Sequence, residues 1–182
     1  MALSDPIIFD PDRHFHLIPQ ITRIHIQAVL QDNAVATFLP PFDLDSDGID
    51  PKVLDYWTAN VAQIRTGSRF IVFLLAEGDE VAGYVTVSLA SVPTIAHRAG
   101  VEKLFVSPKH RRKGIAATLM RAIEVEARSR GKTMLLLDAI RGFPAEHMYS
   151  KLGYITIGEV PDGVVLPNTG ELRTEVLMYK KI

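Results

Sequence analysis

Between residues 100 and 139 the apolar residues follow a strand, then a helix, then a strand again. Gly100 to Val106 is dense in apolar and β-forming residues and closes at Ser107-Pro108. From Gly114 to Arg130, Ile115, Leu119, Ala122, Ile123 and Ala127 recur at helical spacing, and Gly131 follows as a C′ residue. Thr133 to Ala139 is a second short apolar strand. A strand–helix–strand unit of this kind closes as a right-handed crossover within one sheet. This unit constrains the fold more than any other segment.

Around it the reading fills in. Pro19 opens a helix with Ile21, Ile24, Ala28 and Val29 on one face. The stretch from Phe38 to Gly48 reads as a loop. Its acids resemble part of a calcium loop, but no Glu closes the spacing, so no metal is expected. Asp50-Pro51 is an N-cap followed by proline at the first helical position. Val53, Leu54, Trp57, Val61 and Ile64 continue that helix until Gly67. Phe70–Ala76 and the alternating Val81, Gly83, Val85, Val87 and Leu89 form a hairpin about Glu77–Glu80. Pro144–Leu152 is a short helix, and Tyr154–Ile157 and Glu171–Lys180 are closing strands. The expectation is an α/β (α+β) domain on one central sheet.

The 182 residues make one ordinary domain, 47% hydrophobic and 23% charged, which argues against disorder. With no Cys, disulfide scaffolds, thiolate zinc sites and cysteine nucleophiles are excluded. No apolar run is long enough for a membrane span, and Met1 to Pro6 lacks the pattern of a signal peptide. A cytoplasmic protein without membrane partners is therefore expected.

The formal net charge of -1 hides a partition. Residues 1–97 carry -7, residues 98–132 carry +7 and residues 133–182 carry -1. Much of the positive segment is Lys109-His110-Arg111-Arg112-Lys113, between the strand and the glycine that opens the helix. The first turn of a helix offers unpaired N–H groups and the positive end of a dipole. Gly114 and the small Ala116 allow an anion close to the backbone. Neither a Walker loop nor a G-x-G-x-x-G element is present. A solvated charged loop is the bland alternative. A nucleic-acid contact is disfavoured, because the remainder is acidic and no aromatics interleave the basic run.

Arg111-x-x-Gly114-x-Ala116 resembles the Arg/Gln-x-x-Gly-x-Gly/Ala signature of the GNAT family of N-acetyltransferases. Glu102 to Pro108 looks like that family's fourth strand, and Ala145 to Tyr154 resembles its Ala-x-x-x-Tyr-x-Lys-Leu-Gly-Phe/Tyr segment. The chain is identified as a single N-acetyltransferase domain over 1–182, most similar to the tabtoxin-resistance type. Arg98-Ala99-x-Val101-x-Lys103-Leu104, Ile157 to Pro161 with a long loop after it, and Met178 to Lys181 carry that closer likeness. Two positions depart from the pattern: Arg112 stands where Gly is frequent, and Gly142 where many members have Asn.

The resemblance implies a mostly antiparallel central sheet flanked by helices, with acetyl-CoA as co-substrate. It implies direct acyl transfer to a primary amine of a small molecule, such as a toxin or antibiotic. Alternatives are a protein or peptide amine, or a non-catalytic acyl-CoA-binding protein. Leu104, Phe105 and Val106 then face the pantetheine arm, and Arg111, Arg112, Lys113, Gly114, Ile115 and Ala116 surround the pyrophosphate. Tyr149 is the candidate general acid. Glu102 is the first candidate base, weighed evenly against a structural carboxylate paired with Lys103 or Arg98. Asp138 is the runner-up, as base or amine ligand. His97 comes third and reads better as a loop histidine. The acidic N-terminal part, with its loop from Asp32 to Asp50, is expected to shape the acceptor site and favour a cationic amine. Edge strands of this fold often pair, which leaves a homodimer open.

Overall fold

The computed structural model describes residues 3–182; Met1 and Ala2, part of the N-terminal stretch read above, lie outside it. The elements run β1 (Ile7–Ile8), α1 (Pro11–His14), α2 (Ile18–Asp32), α3 (Pro51–Arg65), β2 (Arg69–Ala76) and β3 (Glu80–Leu89). They continue with β4 (Arg98–Val106), α4 (Ile115–Ser129), β5 (Met134–Ile140), α5 (Pro144–Lys151), β6 (Ile155–Val165) and β7 (Leu172–Lys181). Seven strands form one sheet in the order β1-β2-β3-β4-β5-β7-β6. Every pairing is antiparallel except β4 with β5, the two strands joined through α4.

Two cores lie on opposite faces. On one face α2 and α3 pack Ile21, Ile24, Val53, Trp57 and Val61 against Ile71, Phe73 and Tyr84. On the other, Ile115, Leu119, Ile123 and Ala127 of α4 pack against Val72, Val85, Val101 and Leu135. Tyr149 and Tyr154 extend that second core. The helical stripes read in the sequence are thus the buried faces. Asp50 caps α3 as expected, accepting from the Lys52 N–H at 2.8 Å.

Two features of the sheet were not anticipated. The strand expected at Tyr154–Ile157 continues to Val165 as the outer edge, bending at irregularities on either side of Gly158 and Val160. A two-residue strand and one-turn helix precede α2. Both are set by pairing partners rather than by their own patterning: β1 by Phe73 and Val72, and β6 by β7.

Three local devices position the site. First, β4 pairs with β5 only from Arg98 to Gly100, against Met134 to Leu136, and beyond those residues the strands part. Second, β4 carries a bulge: Tyr84 faces Phe105 and Thr86 faces Glu102, so Lys103 and Leu104 share the space opposite Val85. Lys103 takes φ +46. Third, Gly83 lets α4 close onto the sheet, because a Cβ there would lie 2.9 Å from Ile115 Cγ2 and from the Phe105 carbonyl.

Candidate active site

The basic segment forms a turn between β4 and α4. Ser107 N–H bonds the Ala82 carbonyl at 3.0 Å and so continues the sheet ladder one residue past β4. Lys109 is fixed to Glu80 at 2.9 Å, and His110 Nε2 lies 3.3 Å from the same carboxylate. The bond from Lys109 holds the Glu80 carboxyl below its usual value. Arg111 reaches Asp32, the last residue of α2, at 2.7 Å. Among the described residues, Arg112 and Lys113 have no carboxylate within ion-pair distance, and both are exposed. Arg112 has φ +63, a left-handed conformation suited to glycine. That is the physical content of its departure from the signature.

Gly114, at φ +77, then starts α4 with no capping side chain. Asp50 fills that role on α3, and the α4 N-terminus has no counterpart. Its first-turn amides thus lie next in the chain to two exposed cations, of which Lys113 has its Nζ 3.4 Å from His110 Nδ1. The side chain of Ile115 is only 2% exposed, so its offering at the surface is the backbone N–H.

The gap between β4 and β5 leads inward from this turn. Leu104, Phe105 and Val106 lie past the last β4–β5 pair, so their backbone is not paired with β5. Leu104 and Val106 pack toward α4, and Phe105 toward α2 and α3. Uncapped helix amides, a strand left open on its β5 side and exposed cations suit a ligand with a diphosphate at one end and an amide-bearing arm at the other. By that test the residues present fit acetyl-CoA.

Tyr149 on α5 is 7% exposed, with its ring 5.8 Å from that of Tyr154. Burial raises its phenol well above the ordinary tyrosine value, and the charge of Asp138 adds to the shift. At neutral pH it therefore stays protonated. Asp138 on β5 reaches solvent yet is crowded by protein, and desolvation raises its carboxyl. Lys103 opposes that rise and Glu102 adds to it. Glu175 on β7, opposite Ile140, is raised by desolvation and then by Asp138. Asp138 is thus the group in common: its charge is felt by Tyr149 and Glu175, and it feels those of Lys103 and Glu102.

Glu102 is committed to Arg69 at 2.7 Å. The same guanidinium bonds Thr86 at 2.8 Å and Gln63 at 2.9 Å, so Glu102 is tied to β2, β3 and α3 together. Its partner is neither Lys103 nor Arg98. His97 is exposed at the far end of β4, where its carbonyl accepts from Thr133, and is not part of the gap. The Gly142 N–H donates to Glu146 Oε2 at 2.7 Å, so that amide is already engaged.

The α2/α3 side of β4 is aromatic. His25 is fully buried among Phe38, Tyr56, Trp57 and Phe105, with ring centroids 5.3 to 6.2 Å away. Trp57 Nε1 donates to His25 Nδ1 at 3.1 Å. That makes Nε2 the protonated nitrogen, and it donates to the Ala36 carbonyl at 2.8 Å. His25 thereby anchors the loop after α2. Much of that loop's acidity is structural. Asp45 accepts from the Asp47 and Ile49 amides, and Asp50 from Asp43 and Lys52. Asn168, from the β6–β7 turn, bonds the Val29 and Leu30 carbonyls at the end of α2.

Sequence reasoning missed Arg69, Glu175 and the roles of Asp32 and His25. A lone arginine before the apolar run Phe70–Ala76 was the one available signal for Arg69. Among the described residues no cluster of three or more His, Asp or Glu side chains could hold a metal ion, and no helix is long and apolar enough to cross a membrane.

Comparison with known proteins gives a consistent result. A model of the acetyltransferase (GNAT) family matches residues 30–154. A streptothricin acetyltransferase from Streptomyces lavendulae is 37% identical over 92 residues. That alignment takes in 50% of this chain, and the chain spans about half of the relative, 47% of its length. Among solved structures, an N-acetyltransferase from Staphylococcus aureus Mu50 superposes with TM-score 0.77 at 18% identity, covering 98% of this chain and 99% of that one. A phosphinothricin acetyltransferase from Sinorhizobium meliloti, solved in complex with AcCoA, gives 0.73 at 19%, covering 98% and 89%. At these identities the structural likeness is one of fold.

Proposed function

The chain belongs to the acetyltransferase (GNAT) family; from that premise we propose that it is an acetyl-CoA-dependent acetyltransferase that acetylates a primary amine of a small molecule, with residues 1–182 acting as a single N-acetyltransferase domain. Likeness to a streptothricin acetyltransferase over half the chain supports an acceptor of the antibiotic type. The tabtoxin-resistance likeness read in the sequence points to the same class of detoxifying reaction.

The observation that carries the proposal is the parting of β4 and β5, with the uncapped start of α4 at one end and Tyr149 beside Asp138 along it. In this reading Arg112, Lys113 and the amides of Gly114, Ile115 and Ala116 hold the diphosphate. Arg111 supports the turn through Asp32. The backbone of Leu104, Phe105 and Val106 orients the arm and polarises the thioester carbonyl.

Acetyl-CoA supplies the acyl group: the amine nitrogen bonds to the acetyl carbon, and the carbon–sulfur bond breaks. Asp138 accepts the proton that the amine loses, since its raised carboxyl and solvent access suit a base better than the ion-paired Glu102. Tyr149 donates its phenolic proton to the departing sulfur, and solvent returns the proton from Asp138. Glu102 keeps the strand and Arg69 in register beside the reacting centre.

The test is a screen for free CoA release across small amines, amino acids, polyamines, antibiotics and peptides. Release with small amines, lowered by about 100-fold but still measurable in Asp138→Asn, is the expected result. Release with peptides alone overturns the small-molecule assignment, and release with nothing overturns catalysis.

A further inference from the structure

Lys103 stands out in the gap. It occupies the β4 bulge at φ +46, in a region that a side-chain-bearing residue rarely adopts. The bulge breaks the strand's alternation. Val101 packs toward α4, Glu102 and Lys103 both turn to the α2/α3 side, and Leu104 returns to the α4 side. Bulges re-aim side chains in this way next to functional sites.

The ammonium that is re-aimed has no carboxylate partner among the described residues. Glu102, its neighbour, is taken by Arg69. Lys103 Nζ instead stands 5.3 Å from the centroid of the Tyr56 ring, over its face. Its charge reaches Asp138 and the buried His25, lowering the proton affinity of each. Leu137, Ala139 and Val176 face the α4 core, so Asp138 on β5 and Glu175 on β7 turn to the same side of the sheet as the half-buried Lys103, where Glu102 is already paired with Arg69. A purely cationic acceptor would satisfy the carboxylates and be repelled by Lys103. A dipolar acceptor satisfies both.

We propose that Lys103 is a specificity-determining residue, and that the acceptor is an amino-acid-like compound whose amine faces Asp138 while its carboxylate pairs with Lys103. The inference rests on the acetyltransferase reading above and narrows its acceptor class. It also replaces the simpler expectation of a cationic amine drawn from the acidic N-terminal loop, where Asp45 and Asp50 are engaged in holding the backbone.

The experiment is calorimetry on the full chain saturated with CoA, titrated with two matched pairs: L-lysine against cadaverine, and L-ornithine against putrescine. Each pair differs by one carboxylate. The expected result is at least about tenfold tighter binding of the amino acid in each pair. In Lys103→Met that ratio falls to about one, and in Lys103→Arg it is regained. The wild-type ratio decides the question even if Lys103→Met folds poorly. Diamines that bind as well as the amino acids overturn the proposal, as does absence of binding by all four. A ratio that survives in Lys103→Met overturns it too. The screen for CoA release is scored separately: acetylation of diamines but not amino acids sinks the dipolar acceptor and keeps the enzyme, whereas no release at all sinks the enzymatic reading.

Discussion

Asp138 and Tyr149 show how much a single side chain's chemistry depends on what surrounds it. Both are ordinary residues in the sequence, yet burial makes one a stronger base and the other a reluctant acid. Tyr149→Phe is expected to lower kcat by about 100-fold with little change in acetyl-CoA affinity, as steady-state kinetics and calorimetry will read. Asp138→Asn should remove the acidic limb of the kcat/KM profile. That limb is expected above the ordinary aspartate range, because the wild-type carboxyl is raised. Retention of the limb in Asp138→Asn, with its loss in Glu102→Gln, would return the role of base to Glu102. His25 carries a different prediction. Burial pushes its pKa down from 6.5 to about 4, so the folded state excludes a proton that the unfolded chain accepts. Stability is complete above about pH 6.5 and falls as the pH drops toward 4, by about 3 kcal/mol in all. Denaturant unfolding across that range should show a flatter pH dependence in His25→Gln.

At the scale of elements, the decisive join is β4 to α4. The strand, the basic turn and the helix were legible, since apolar period and glycine placement report on local backbone. Their mutual fit was not. Gly83 on β3 decides how close α4 lies, and Gly83→Val should cost about 1–3 kcal/mol by driving Ile115 off the sheet. A drop in Tm together with weaker acetyl-CoA binding is the expected pair of readouts. Arg112 sets strain against charge. Arg112→Gly should raise stability by up to about 1 kcal/mol while weakening acetyl-CoA binding, and Arg112→Glu should weaken binding further. Unchanged affinity in both variants would free Arg112 from any part in holding the diphosphate. The β6 strand shows the opposite limit. Its sequence carries glycines, a proline and exposed Ile155 and Ile157, so only pairing with β7 makes Ile155–Val165 a strand.

Across the whole molecule the charge partition gains a location. The +7 segment splits into anchored cations and free ones: Lys109 is paired with Glu80 and Arg111 with Asp32, while Arg112 and Lys113 face solvent at the start of α4. A few free cations over a helix terminus still steer an anion, so kcat/KM for acetyl-CoA should fall as salt rises from about 0.05 to about 0.5 M. Insensitivity to salt would show that steering is absent. The sequence by itself determined the crossover unit, both helical stripes, the Asp50 cap and the basic loop that leads into α4, because these depend on periodicity and local backbone preference. Only the tertiary structure decided which carboxylates are free. Glu102 meets Arg69 from 33 residues away, and Asp32 meets Arg111 across 79, contacts that no local pattern encodes. It also decided that β4 and β5 part beyond Gly100 and that a bulge turns Lys103 toward Tyr56. Both follow from strand register, which depends on which strands meet and not on the residues of any one of them.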